Sequence, residues 1–145
     1  MNPTHVSDLS EEGAVAGYAY AGSDTLGFIW RRGADRIDIS GQVMSVANVG
    51  EYLIATGAVG QSLSPTRGVT WHSPYGEYDF TEIVPPDPSY MTWPQHIGDD
   101  GSVVGFFSGF TIDNQGFSKA FHWKNGSFTD LSSAHGAGTN SQQGW

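Results

Sequence analysis

Apolar residues in this chain alternate with period two and nowhere recur with the period of a helix. Phe28/Trp30, Val69/Trp71 and Phe121/Trp123 each put two large side chains on one face of an extended segment. No window of a dozen residues sets apolar positions at i, i+3, i+4 and i+7, so strands are predicted throughout with almost no helix. The strands run between turn dipeptides, Glu12-Gly13, Asp100-Gly101, Gln115-Gly116 and Asn125-Gly126, of the kind hairpins use where φ must be positive.

The alternation comes in repeated blocks. A small residue, an apolar one, any residue and then Trp occurs at Gly27–Trp30, Gly68–Trp71 and Ala120–Trp123. Ahead of each lies a turn glycine (Gly13, Gly50, Gly101) with an apolar residue four positions before it (Leu9, Val46, Ile97). Behind each comes an acidic residue followed by an aliphatic one: Asp38-Ile39, Glu82-Ile83 and Asp130-Leu131. Four strand-sized pieces thus recur in one order. The expectation is a single all-β domain over 1–145, made of three four-stranded repeats (units 4–40, 41–83 and 84–131), with 132–145 starting a further unit or closing the series. The tryptophans are 41 and then 52 residues apart, the second gap stretched by Val84-Pro85-Pro86-Asp87-Pro88, as turn insertions on a common scaffold allow. Trp30, Trp71 and Trp123 are predicted to occupy equivalent inward-facing positions, and Gly13, Gly50 and Gly101 equivalent structural turns. The small residue before each apolar–x–Trp points to the other face, where it lets a neighbouring layer approach.

Gly101-Ser-Val-Val-Gly105, Ala120-Phe-His-Trp123 and Phe128-Thr-Asp-Leu131 resemble the bacterial extracellular repeats called HAF repeats, whose unit reads roughly Gly-x-Val-Val-Gly, Ala-Phe-x-Trp and Asp-Leu-Gly. The third unit matches closely and the first loosely. The second departs at Ile54, where glycine is expected, and in its longer hairpin from Ser73 to Asp79. The resemblance implies β-propeller blades in a secreted or cell-surface protein and carries over no catalytic residue. Three blades do not close a propeller, so the expectation is a homo-oligomer or a part of a longer chain. A β-trefoil of three four-stranded units is the alternative fold.

Composition sharpens the setting. With 20 glycines, 13% aromatic and only 14% charged residues, the chain is turn-rich, and its formal charge of −9 argues against nucleic acid or an anionic membrane surface as partner. No apolar run is long enough to insert in a membrane as a helix. The absence of cysteine excludes thiol nucleophiles and zinc–thiolate sites. The five histidines are dispersed, and neither a Gly-x-Ser-x-Gly elbow nor a phosphate loop occurs. Asp113-Asn114-Gln115-Gly116 offers oxygen ligands to Ca2+ but lacks the EF-hand pattern, and no other cofactor is implied.

Two functions follow. The first is a non-catalytic extracellular binding or scaffold module with a glycan or protein ligand. Its candidate binding residues are the aromatics outside the repeat grammar, Tyr75, Tyr78, Tyr90, Trp93 and Phe110, whose ring faces suit sugars, with Asp87 or Glu77 to hydrogen-bond hydroxyls. The alternative is a polysaccharide-active enzyme, a glycosidase or lyase, using two turn carboxylates drawn from Glu11, Glu12, Glu77, Asp79, Asp99, Asp100 and Asp113. Whether acidic side chains converge in one pocket or are spread around equivalent turns separates the two.

Overall fold

A computed structural model describes residues 4–21, 24–50, 52–59, 66–73 and 79–134. Twelve strands form three separate four-stranded antiparallel sheets, each a simple meander. The first contains β1 (Thr4–Leu9), β2 (Val15–Ala21), β3 (Asp24–Trp30) and β4 (Ile37–Ser40). The second contains β5 (Gln42–Val49), β6 (Tyr52–Val59), β7 (Arg67–Ser73) and β8 (Asp79–Glu82). The third contains β9 (Met91–Ile97), β10 (Val103–Phe110), β11 (Gly116–Lys124) and β12 (Ser127–Asp130), and one helical turn, α1 (Leu131–Ala134), follows it. The sheets do not close into a barrel. They stack face to face in sequence order, β5 against β1 and β2, and β9 against β5 and β6, as successive propeller blades do.

Each sheet therefore has a front face, turned to the sheet before it, and a back face, turned to the sheet after it. Two apolar layers result. Val43, Val46, Leu53, Ala55, Val69 and Trp71 on the front of the second sheet meet Ala16, Ile29 and Ile39 on the back of the first. Ile97, Val103, Phe107, Phe121 and Trp123 on the front of the third meet Ala47 and Ile83 of the second. The second layer is the more aromatic: Phe121 stacks on Phe128 (centroids 4.9 Å apart), and Phe128 and Tyr90 meet Phe107 and Phe117 edge-on. The small residues before the Trp motif let the layers close: a Cβ on Gly27 would press on Val43, and one on Gly68 on Pro94.

The expectation for the three tryptophans is corrected at Trp30. Trp71 and Trp123 are 3% and 7% exposed, whereas Trp30 is 42% exposed. All three lie on the front face of their sheet, and among the described residues no sheet covers the front of the first. Gly13, Gly50 and Gly101 stand at positive φ (88°, 62° and 85°), which explains glycine at each first hairpin turn.

The expectation of a missing glycine at Ile54 is also corrected. By strand register Gly17, Gly57 and Gly105 are equivalent, facing Phe28, Val69 and Phe121 across the ladder. Each lies opposite a bulge, at Ser7, Met44 and Gln95, where a Cβ would collide with the carbonyl oxygen of His5, Gln42 or Trp93. The second unit reaches its glycine three residues late because β5 and β6 pair all the way to Val49–Tyr52 before turning. The proline-rich connection to β9 is held by Arg67, which ion-pairs with Glu82 (2.7 Å) and donates to the carbonyls of Pro88 and Tyr90.

Candidate functional site

The residues that follow the three bulges, Asp8, Ser45 and His96, meet across the innermost strands. Ser45 Oγ donates to Asp8 Oδ2 (2.6 Å), accepts from the Ile97 N–H (3.1 Å) and lies 3.4 Å from His96 Nδ1. The Val46 N–H also donates to Asp8 Oδ2 (3.0 Å). Serine, histidine and aspartate are the residue types of a hydrolytic triad, yet the order is wrong for one. The serine sits in the middle, 1% exposed, with its proton committed to the carboxylate, so the imidazole does not link it to the acid. The set is a structural clasp between sheets.

Partial burial pushes the Asp8 carboxyl up. Hydrogen bonds from Ser45, Val46 and Leu9 and the nearby His96 outweigh that and hold it below the ordinary value of 3.8. Its ionised form therefore adds stability that is fully present above the ordinary value and is lost as pH falls through the lowered folded value. Asp8→Ala, which strands the Ser45 hydroxyl and the Val46 N–H, is expected to cost about 2–3 kcal/mol at neutral pH. In urea melts below the ordinary carboxylate value, the wild type should lose stability more steeply than Asp8→Asn, and parallel curves would dismiss the clasp.

A cleft lined by described residues lies between the second and third sheets. Its volume is about 440 Å³. Val49, Ile54, Ile97 and Trp123 give it apolar walls, and Thr70, His72, Thr81, Asp100 and Asn125 bring polar groups to it. Its origin is visible in the strand register. Ile29 pairs with Ile37 on the back of the first sheet, and the equivalent pair on the back of the second is Thr70 with Thr81. Two isoleucines fill the first gap, whereas two threonines leave room in the second and line it with hydroxyls. The turns of Gly98–Ser102 and Asn125–Gly126 close one end. Asp100 is already engaged: the Ser102 N–H (2.9 Å) and hydroxyl (3.0 Å) and Lys124 Nζ (3.4 Å) hold its carboxyl below the usual range.

No family model, curated protein or solved structure matches this chain.

Among the described residues, the binding residues expected from the sequence do not assemble. Tyr90 is corrected from a loop platform to a half-buried residue packed against the core on the third sheet's front face, its ring against Phe107 and Phe117, because the strand alternation that leads into β9 puts it on the same side as Thr92 and Pro94. Trp93 lies on the opposite, back face, stacked on Phe106 (6.1 Å). Asp87 accepts from the N–H and hydroxyl of Ser89, which hold its carboxyl down and close a turn. Phe110 is exposed at the end of β10. Tyr75, Tyr78 and Glu77 lie outside the described residues.

The turn carboxylates among the described residues likewise fall in separate turns and strands. Glu11 and Glu12 occupy the first turn of the first sheet, Asp99 and Asp100 that of the third, and Asp79 opens β8. Asp113 belongs to a tight turn closed by Thr111, with Asn114 at positive φ. Among the described residues no three His, Cys, Asp or Glu side chains converge as metal ligands.

Proposed function

We propose that the chain is a non-catalytic binding module whose ligand is a saccharide or a similarly polar ring, seated in the cleft between the second and third sheets. The observation that carries this is the exchange of an Ile29–Ile37 pair for Thr70–Thr81, which opens a space walled by the Trp123 ring in a gap where hydroxyl, imidazole and amide groups gather. Such a mixture, an apolar wall with a few converging polar groups, suits a ligand with one apolar ring face and hydroxyls at its edge. The resemblance to HAF repeats supports an extracellular or cell-surface setting.

The polysaccharide-active alternative needs a second carboxylate and a titratable acid. The described lining offers Asp100 alone, and its bonds to Ser102 and Lys124 keep it ionised, which suits neither a general acid nor a free nucleophile. Titrating the protein with a broad glycan panel while following tryptophan fluorescence, alongside a polysaccharide digestion assay, tests both. The expected result is a fluorescence shift with at least one glycan and no digestion. The shift should vanish in a Thr70→Ile, Thr81→Ile double variant, which restores the first gap's filling and should fold normally. A shift that survives the double variant would place the site elsewhere, and no shift with any glycan would end the proposal.

A further inference from the structure

The two ends of the stack carry faces that its interior shows how to cover. On the front of the second and third sheets, Val43, Val46 and Trp71, and in turn Pro94, Ile97 and Trp123, are buried. Their equivalents in the first sheet, Val6, Leu9 and Trp30, are 69%, 64% and 42% exposed. On the back faces, Ala16 and Ile29 of the first sheet and Thr56 and Thr70 of the second are buried, whereas Val104 and Phe106 of the third are exposed. The polar contacts form a series too. Asp8 of the first sheet accepts from the Val46 N–H of the second, and Ser45 of the second accepts from the Ile97 N–H of the third. The next acceptor in that series is His96, and the donor it would take is the Leu9 N–H, which in this chain turns back to its own Asp8 Oδ1 (2.8 Å).

We propose that the front face of the first sheet seats on the back face of the third sheet of a second copy of this chain. Two copies joined head to tail at both ends then set six sheets around one axis. The occupant follows from continuity with the two junctions inside the chain. In both, what covers a front face of this repeat is the back face of another sheet of the same repeat, and among the described residues the third sheet carries the back face that no sheet covers. The polar groups at the faces agree. At the new junction the His96 imidazole of one copy meets the Asp8 carboxylate of the other, in the place where the Ser45 hydroxyl meets Asp8 within the chain. The small Ala120 takes the place of Gly27 and Gly68, opposite Val6. Because the two faces are unlike, the contact is heterologous, and the assembly stays discrete by closing on itself.

Sedimentation velocity at micromolar concentration tests this. The wild type is expected as a discrete dimer. Trp30→Glu and Phe106→Glu, each at an exposed position, should retain the wild-type circular dichroism and sediment as monomers, with association weakened about a hundredfold or more. An equimolar mixture of the two variants should form a one-to-one dimer, since one junction in it is intact. Leu9→Glu and Val104→Glu serve as the pair if either first variant fails to fold. A monomeric wild type, open-ended polymers, a dimer that persists in Phe106→Glu but not in Trp30→Glu, or a mixture that stays monomeric would each overturn the proposal.

Discussion

Replacing Trp71 by alanine is expected to lower stability by about 3–5 kcal/mol, the range for removing a large aromatic side chain from a packed layer. Trp71 belongs to the layer between the first and second sheets, which also contains Ile29, Val46 and Val69, and is 3% exposed. The loss falls on both sheets at once, because the indole is the largest side chain in a layer otherwise built from alanine, valine, leucine and isoleucine. A loss of this size is a large fraction of the whole stability of a domain of this length. Urea unfolding followed by circular dichroism measures it, and a wild-type midpoint would show that the first and second sheets are not held by this layer.

Gly57→Ala is expected to cost roughly 3 kcal/mol, the upper end for overpacking. The added methyl has no open direction: it meets the Gln42 carbonyl and the Val43 backbone, which belong to the ladder itself and cannot move as a side chain could. Relief requires unmaking the bulge at Met44, and with it the placement of Ser45 between Asp8 and Ile97. Gly126→Ala, where nothing lies within 4 Å but φ is 86°, provides the control: it carries only the strain of positive φ, about 1–2 kcal/mol. Equal losses in the same urea melts would mean that the bulge does not fix the inner strand.

The strand content, the number of units and their order were legible in the sequence because alternation and turn glycines act locally, and each unit repeats them. What lay beyond local pattern was which neighbour each face has. Trp30, Trp71 and Trp123 share one motif, yet the burial of each depends on whether a sheet precedes its own, a fact about the stack that no unit contains. Tyr90 was misplaced for a related reason. The insertion before β9 hides the phase of the alternation, and only the ladder shows that Tyr90 continues the Thr92–Pro94 side. The cleft was within reach. Aligning the units by the Trp motif puts Thr70 under Ile29, and the strand that follows puts Thr81 under Ile37, a change from filling to lining side chains that needs no coordinates to notice. The clasp of Asp8, Ser45 and His96 could also be found, since all three stand five residues before a turn glycine. Their meeting required the bulges, which flip that position to the back face and which the sequence marks only by the glycine opposite.

The unlike front and back faces also bear on how such a chain could lengthen. A unit whose front fits the back of its own kind can be copied in tandem, and the new copy finds a ready seat on both sides. Gene duplication can then change the number of blades one at a time without redesigning any junction. Each copied gap is free to diverge separately, as the first and second gaps differ in carrying two isoleucines and two threonines at equivalent places, so a new pocket can arise in one gap while the others go on holding the molecule together.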